Sequence, residues 1–290
     1  MNSSAVLLLT SAFLHAAWNA IAKHSRDKEA FLFLAMSVSN IVAAAMVLQS
    51  QVFLPGEPII WAILAGVFEG TYLLTLSKAL TQNNLGRAYA IMRGGAMLVV
   101  WIFSTLFFGE TATLLQMTGA GVIFAGLLLL NIGSSVSTRN TDDQGVPVEK
   151  PLWQRVPWSW VCAVCIAGYH LSYHKALHHG AEPRSLFAVA MVISWPFLLL
   201  ALGRKPSARV KKVWREQKKG IFAVGVFSFL SFVIFLYGLQ VSAPGFAISL
   251  RNSSIFFAIL FSFFLKESLT RVQIIGALTV GLGAIFLSWS

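Results

Sequence analysis

The sequence predicts an all-α integral membrane protein, with ten transmembrane helices arranged as an inverted repeat of five plus five. Three observations carry this expectation. Hydrophobic residues make up 57% of the 290 and charged residues only 11%, against about 25% charged in an ordinary soluble domain. With a mean hydropathy of +0.72, so sparse a set of charges could not cover a soluble surface. Ten apolar runs of membrane-spanning length follow one another along the chain. The second five resemble the first five.

A hydrocarbon core needs about 20 mostly apolar helical residues to cross it. Span one, at about 4–23, has the length of a signal peptide but no basic start, and it carries His15, Asn19 and Lys23. It is expected to be retained as a span. Spans two to five fall at about 31–49, 58–78, 88–108 and 113–133. Residues 134–157 are rich in Ser, Thr, Asp, Asn, Gly and Pro, which is linker chemistry. Spans six to ten fall at about 158–177, 184–202, 220–240, 245–265 and 271–289, with a basic loop at 203–219. The runs are continuously apolar, unlike the alternating strands of a transmembrane barrel. The predicted units are therefore a first five-helix repeat at 1–133, the linker at 134–157, and a second repeat at 158–290.

Lys and Arg mark cytoplasmic loops. The loops after odd-numbered spans carry Arg26 and Lys28, then Arg87, then Arg139, Lys150 and Arg155, then eight cations in 203–219, then Lys266 and Arg271. The loops after even-numbered spans carry only Arg184. Both termini are thus expected on the non-cytoplasmic side. The net charge of +11 is mostly this orientation signal, and the stretch at 203–219 could also rest on anionic lipid headgroups. It is too short for a nucleic-acid-binding domain, so no nucleic-acid partner is expected. Cys162 and Cys165 lie in an apolar helix, which argues against a redox motif.

The repeat is legible in short stretches. Ala88-Tyr89-Ala90-Ile91-Met92-Arg93 in span four answers Phe246-Ala247-Ile248-Ser249-Leu250-Arg251 in span nine. Each continues to a glutamate, Glu110 or Glu267, and then to Gln116 and Gly119 or Gln273 and Gly276. His15, Trp18 and Asn19 in span one answer His170, Tyr173 and His174 in span six. Five is an odd number, so the second copy is inverted, as in many secondary transporters whose site lies between the halves.

With these residues the chain resembles the EamA-type drug/metabolite transporter superfamily over nearly its whole length. The glutamate ends with their following Gln and Gly carry that likeness. More narrowly, the segments His15 to Lys23, Tyr89-x-x-x-Arg93 and Arg251-x-x-Ser254 are similar to a subgroup linked with phosphonate utilisation. The resemblance implies ten helices, a bacterial inner-membrane location and alternating access, and it leaves the substrate open.

Charge inside a bilayer is costly and usually marks a pathway. Arg93 and Arg251 each lie about six residues into helices that start from opposite faces, roughly 9 Å deep at 1.5 Å per residue. Their side chains could meet on one anion, hold separate gates, or pair with Glu69 or backbone carbonyls as a structural lock. Arginine suits planar binding of phosphate or carboxylate. Tyr89, His15, Trp18 and Asn19 are the expected pocket walls, the last three sharing one face of span one. Glu69, mid-span between Gly66 and Gly70, is a candidate proton carrier, as are His170 and His174. The alternatives are a buried lock and polar packing. The glycine pair is spaced for close helix approach. Lys23 is expected to snorkel to the interface, and the end-of-helix glutamates to partner the next helix's N-terminus.

These features predict a secondary transporter of a small polar, anionic metabolite (a phosphonate, phosphorylated or carboxylate compound), with proton coupling. Export of amino acids or drugs, or flipping of a lipid-linked phosphate, are the alternatives within transport. No nucleotide-binding, HExxH or GxSxG pattern occurs, so neither an ATPase nor an enzyme is expected, and no cofactor or metal. The expected partners are the small-molecule substrate and the lipid bilayer, and a homodimer is compatible with the sequence. A receptor or scaffold without transport fits the repeat less well.

Overall fold

The computed structural model describes residues 3–50, 54, 56–107, 113–132, 157–203, 206–241 and 250–288. All of the linker but its last residue, Pro157, together with Glu110 and the first part of span nine, lies outside the described residues. Among the described residues ten helices follow in order. They are α1 Ser3–His24, α2 Lys28–Ser50, α3 Pro58–Gln82, α4 Leu85–Phe107, α5 Leu114–Ile132, α6 Trp158–His178, α7 Pro183–Ala201, α8 Pro206–Val241, α9 Ser254–Phe264 and α10 Arg271–Ser288. Six of them (α1 to α4, α7 and α8) contain stretches long and apolar enough to cross a membrane. Shorter apolar helical stretches run over Leu114–Leu130, Leu250–Phe264 and Arg271–Leu287. At 21 residues α6 is long enough, but its run from Tyr169 to His174 includes two tyrosines, two histidines and a serine and lowers its hydropathy.

The basic stretch expected as a loop is helical from Pro206 onward. Pro206 starts it with a preset φ. Val210, Val213 and Trp214 recur at helical spacing and turn inward, while Lys211, Lys212, Arg215, Lys218 and Lys219 stay exposed. The density of charge had masked this amphipathic period. Gln217, at φ −132°, breaks the helix between its basic start and its apolar body.

The helices pack in a matched pattern. α3 lies against α6 and α7, and its counterpart α8 lies against α1 and α2. Likewise α4 packs on α6, and α9 on α1. α5 pairs with α10 along a seam of glycines, where a Cβ placed on Gly126 would stand 2.8 Å from the Gly276 carbonyl oxygen. Without a side chain between them, the two backbones touch, the packing that small residues permit between membrane helices. Gly66 and Gly70 do the same for α3 against α7: a Cβ at Gly66 would lie 2.6 Å from the Ala190 carbonyl oxygen. Glu69, between these glycines, is buried.

Polar contacts sort the connections onto two faces. On one, Arg209 at the start of α8 holds Asp27 and Glu29 of the α1–α2 turn at 2.6 and 2.8 Å. On that face also, Lys23 at the end of α1 meets Glu267 of the α9–α10 turn at 3.2 Å. Lys23 does not snorkel outward; its ammonium also donates to the carbonyls of Leu80 and Asn83 where α3 ends, a cation at a helix C-terminus. Lys266 takes a left-handed φ of 54°, and Glu267 beside it accepts a 2.7 Å bond from the Leu85 amide. The glutamate therefore serves the N-terminus of α4 rather than that of the next helix. On the opposite face, Tyr237 near the end of α8 donates to Glu182 before α7 at 2.7 Å, and His179 stands 3.4 Å from Glu57.

The Arg209 hydrogen bond holds the Asp27 carboxyl below the usual carboxylate range, against burial that pulls it up. Because the folded value is the lower one, the stabilisation is complete above about pH 4 and fades as pH falls through the folded value. The groups are about a third exposed, so the network contributes about 0.5–1 kcal/mol. Asn at position 27 still caps α2, where Asp27 accepts from the Ala30 amide. Asp27→Asn is therefore expected to lower the melting temperature in detergent slightly at pH 7 and by less near pH 3. Equal deficits at both pH values would contradict the charge contribution.

Candidate functional site

His15 and Ser11 are one turn apart on α1, both fully buried. Arg93 comes from the middle of α4 and Arg251 from the turn of helix just before α9, with 2% and 0% of their surface exposed. They start from different helices and meet on one side chain. Arg93 Nη2 contacts His15 Nε2, and Arg251 Nη2 lies 3.0 Å from His15 Nδ1. Arg251 Nη1 donates to the Ser231 carbonyl at 2.8 Å and to Ser11 Oγ. Its guanidinium lies over Phe235 at 4.4 Å and Phe232 at 5.0 Å, a cation–π arrangement in a dry site.

Neither guanidinium has a carboxylate within 4 Å among the described residues, and Arg93 Nη1 and Arg251 Nε have no hydrogen-bond partner. Buried charge is ordinarily paired and buried N–H groups ordinarily bonded. Nearby, among the described residues, Asn19 Oδ1, Tyr169 Oη and His170 Nε2 lack well-formed hydrogen bonds, although Tyr169 lies beside Arg93 and Asn19 beside Tyr89. The arrangement is a cationic, donor-rich centre with aromatic walls, suited to binding an anion.

The expected wall residues come together. Tyr89 donates to the His15 carbonyl at 2.9 Å, and so does the Asn19 amide. The Trp18 ring meets His15 edge-on at 5.2 Å, with its N–H 3.4 Å from Nδ1. Glu69 pairs with neither arginine; it accepts from the Tyr173 hydroxyl. His170 packs against Tyr169 at 4.6 Å and Phe235 at 5.5 Å, in the same cluster. His174, one turn on, is exposed and is not brought together with them. Cys162 and Cys165 are buried free thiols, Cys162 lying 3.2 Å from the Thr75 hydroxyl. Among the described residues no group of three His, Cys, Asp or Glu side chains is placed to hold a metal.

Sequence reasoning passed over Ser11, Ser231, Tyr169 and the two phenylalanines under Arg251. Ser11 could have been found, since it stands four residues before His15 on the same face. Ser231 and the phenylalanines lie in an ordinary apolar run and gave no signal.

A model of the EamA-like transporter family matches residues 2–132 and again 156–289. The chain belongs to the EamA-like transporter family. That makes it a multi-pass membrane protein of a family that transports small molecules, whose members are transporters and not enzymes. A solved crystal structure of a protein 15% identical aligns over 99% of this chain and 96% of its own, with a TM-score of 0.65. At that identity the likeness is one of fold.

Tyr173→Phe strips Glu69 of its hydroxyl donor and is expected to destabilise the protein by about 1–3 kcal/mol. Tyr169→Phe removes a hydroxyl that lies beside Arg93 without a well-formed hydrogen bond and is expected to cost less stability. Thermal unfolding in one detergent compares the two; equal losses would contradict these separate surroundings.

Proposed function

We propose that this family member is a secondary transporter of a small polar anion, working by alternating access between two inverted five-helix repeats at 1–133 and 158–290. All ten helices cross the bacterial inner membrane, and both termini face away from the cytoplasm. The matched packing of helices five apart supports the repeat. The grouping of the cation-rich turns on one face supports the orientation.

The observation that carries the anionic substrate is the convergence of two buried guanidiniums with no carboxylate within 4 Å among the described residues. Two cations so placed repel a cationic drug in a low-dielectric site and attract an oxyanion with bidentate geometry. Arg93 and Arg251 contact the anion, while His15, Tyr89, Trp18 and Asn19 line its site. Glu69, bonded to Tyr173, and His170 handle the coupled proton. The Lys23–Glu267 contact and the Glu267 bond to the start of α4 close the cation-rich face. Opening to the cytoplasm breaks them.

Thermal stabilisation of the purified protein by phosphonates, phosphorylated metabolites, carboxylates, amino acids and cationic drugs tests the substrate class. Anions are expected to raise the melting temperature by several degrees in the parent and not in Arg93→Gln or Arg251→Gln. Stabilisation by cations, or by anions equally in both variants, would contradict it.

A further inference from the structure

His15 is in an unusual position for a pocket wall. A neutral imidazole has one donor nitrogen and one acceptor nitrogen. Here both nitrogens face guanidinium donors, Arg93 at Nε2 and Arg251 at Nδ1, and the Trp18 N–H also points at Nδ1. If Nε2 carries the proton, it opposes Arg93. If Nδ1 carries it, Ser231 Oγ at 3.4 Å can accept, but Arg251 is then opposed. In either tautomer one guanidinium faces an N–H, and protonating the ring would place a third cation between the two. The ring is a poor acceptor for two arginines, each of which also leaves a nitrogen without a partner.

We propose that His15 is the resting partner of the two arginines, occupying the place of the anion, and that a compact dianionic oxyanion head displaces it. The proposal rests on the anionic-substrate reading above and deepens it. A tetrahedral phosphoryl or sulfuryl head presents acceptors in several directions, so it satisfies both guanidiniums at once where imidazole satisfies one. Two negative charges also balance two arginines that have no carboxylate within 4 Å among the described residues, whereas a monocarboxylate leaves one buried charge uncompensated. His15 is carried by α1, which packs on α8 and α9 of the other half. Its bonds to Arg93 of α4 and Arg251 tie α1 to both halves through the site. Exchanging the imidazole for an anion releases that tie, so substrate occupancy and helix movement are linked through one side chain.

The test measures inorganic phosphate, sulfate and acetate affinities by thermal shift and by titration calorimetry, on the full chain in detergent. His15→Ala and His15→Gln are compared with the parent and with Arg251→Gln. Both histidine variants are included because His15→Ala removes the arginines' partner and lowers the ligand-free melting temperature, while glutamine keeps an acceptor. Phosphate and sulfate are expected to bind His15→Ala at least tenfold more tightly than the parent, with acetate weakest throughout. Weaker or unchanged phosphate and sulfate binding in both histidine variants would overturn the displacement, making His15 a ligand or a bystander. If Arg251→Gln loses binding while the histidine variants gain none, only this inference fails. If Arg251→Gln binds as the parent does, the anion site itself fails. No response to either dianion in any variant would overturn the dianionic head.

Discussion

Two arginine side chains buried against one imidazole are the interaction on which the rest of this structure depends. An ionised side chain at bilayer depth is costly unless it is paired or reaches water. Arg93 and Arg251 avoid that cost only in part. Arg251 has a backbone carbonyl, two serine hydroxyls and two aromatic faces. Arg93 has His15 and the tyrosines Tyr169, Tyr89 and Tyr72 near it. Among the described residues the arginines are therefore held by oxygen acceptors, ring faces and one shared histidine instead of by ion pairs.

That choice shapes the surrounding helices. α1 must lie where Ser11 and His15 reach arginines from both halves, and Ser231 of α8 must close the cluster from behind. Glu69 could have neutralised one arginine. Instead the close approach of α3 to α7 at Gly66 and Gly70 accompanies its bond to Tyr173. Glu69 and the two guanidiniums form no ion pair within 4 Å among the described residues. The polar contacts that group the turns lie at the two ends of the bundle, away from this centre. On the cation-rich face they join the end of α1 to the α9–α10 turn and to the start of α4.

Much of this was legible in the sequence because the bilayer imposes strong rules. Apolar runs of about 20 residues marked the helices, and an arginine inside such a run marked the site. The repeated Tyr89–Arg93 and Leu250–Arg251 segments pointed to a shared centre, and the His15, Trp18 and Asn19 face pointed to its wall. Pairing was less legible. Periodicity says which face a residue occupies but not which helix from the other half arrives there, so Ser231 and the phenylalanines under Arg251 were hidden. Lys23 looked like an interfacial lysine because its partners, Glu267 and the end of α3, come from distant parts of the chain. The helix beginning at Pro206 was missed for another reason: its charges obscured three apolar positions at helical spacing.

The most direct test of the central claim is a double-mutant cycle on anion binding, using Arg93→Gln, Arg251→Gln and the double variant, followed by titration calorimetry. Residues that hold one ligand together are coupled, and their losses are not additive. If both arginines hold one anion, the double variant loses far less affinity than the product of the single losses. If the losses simply multiply, the two arginines act independently, and a single shared anion site is wrong.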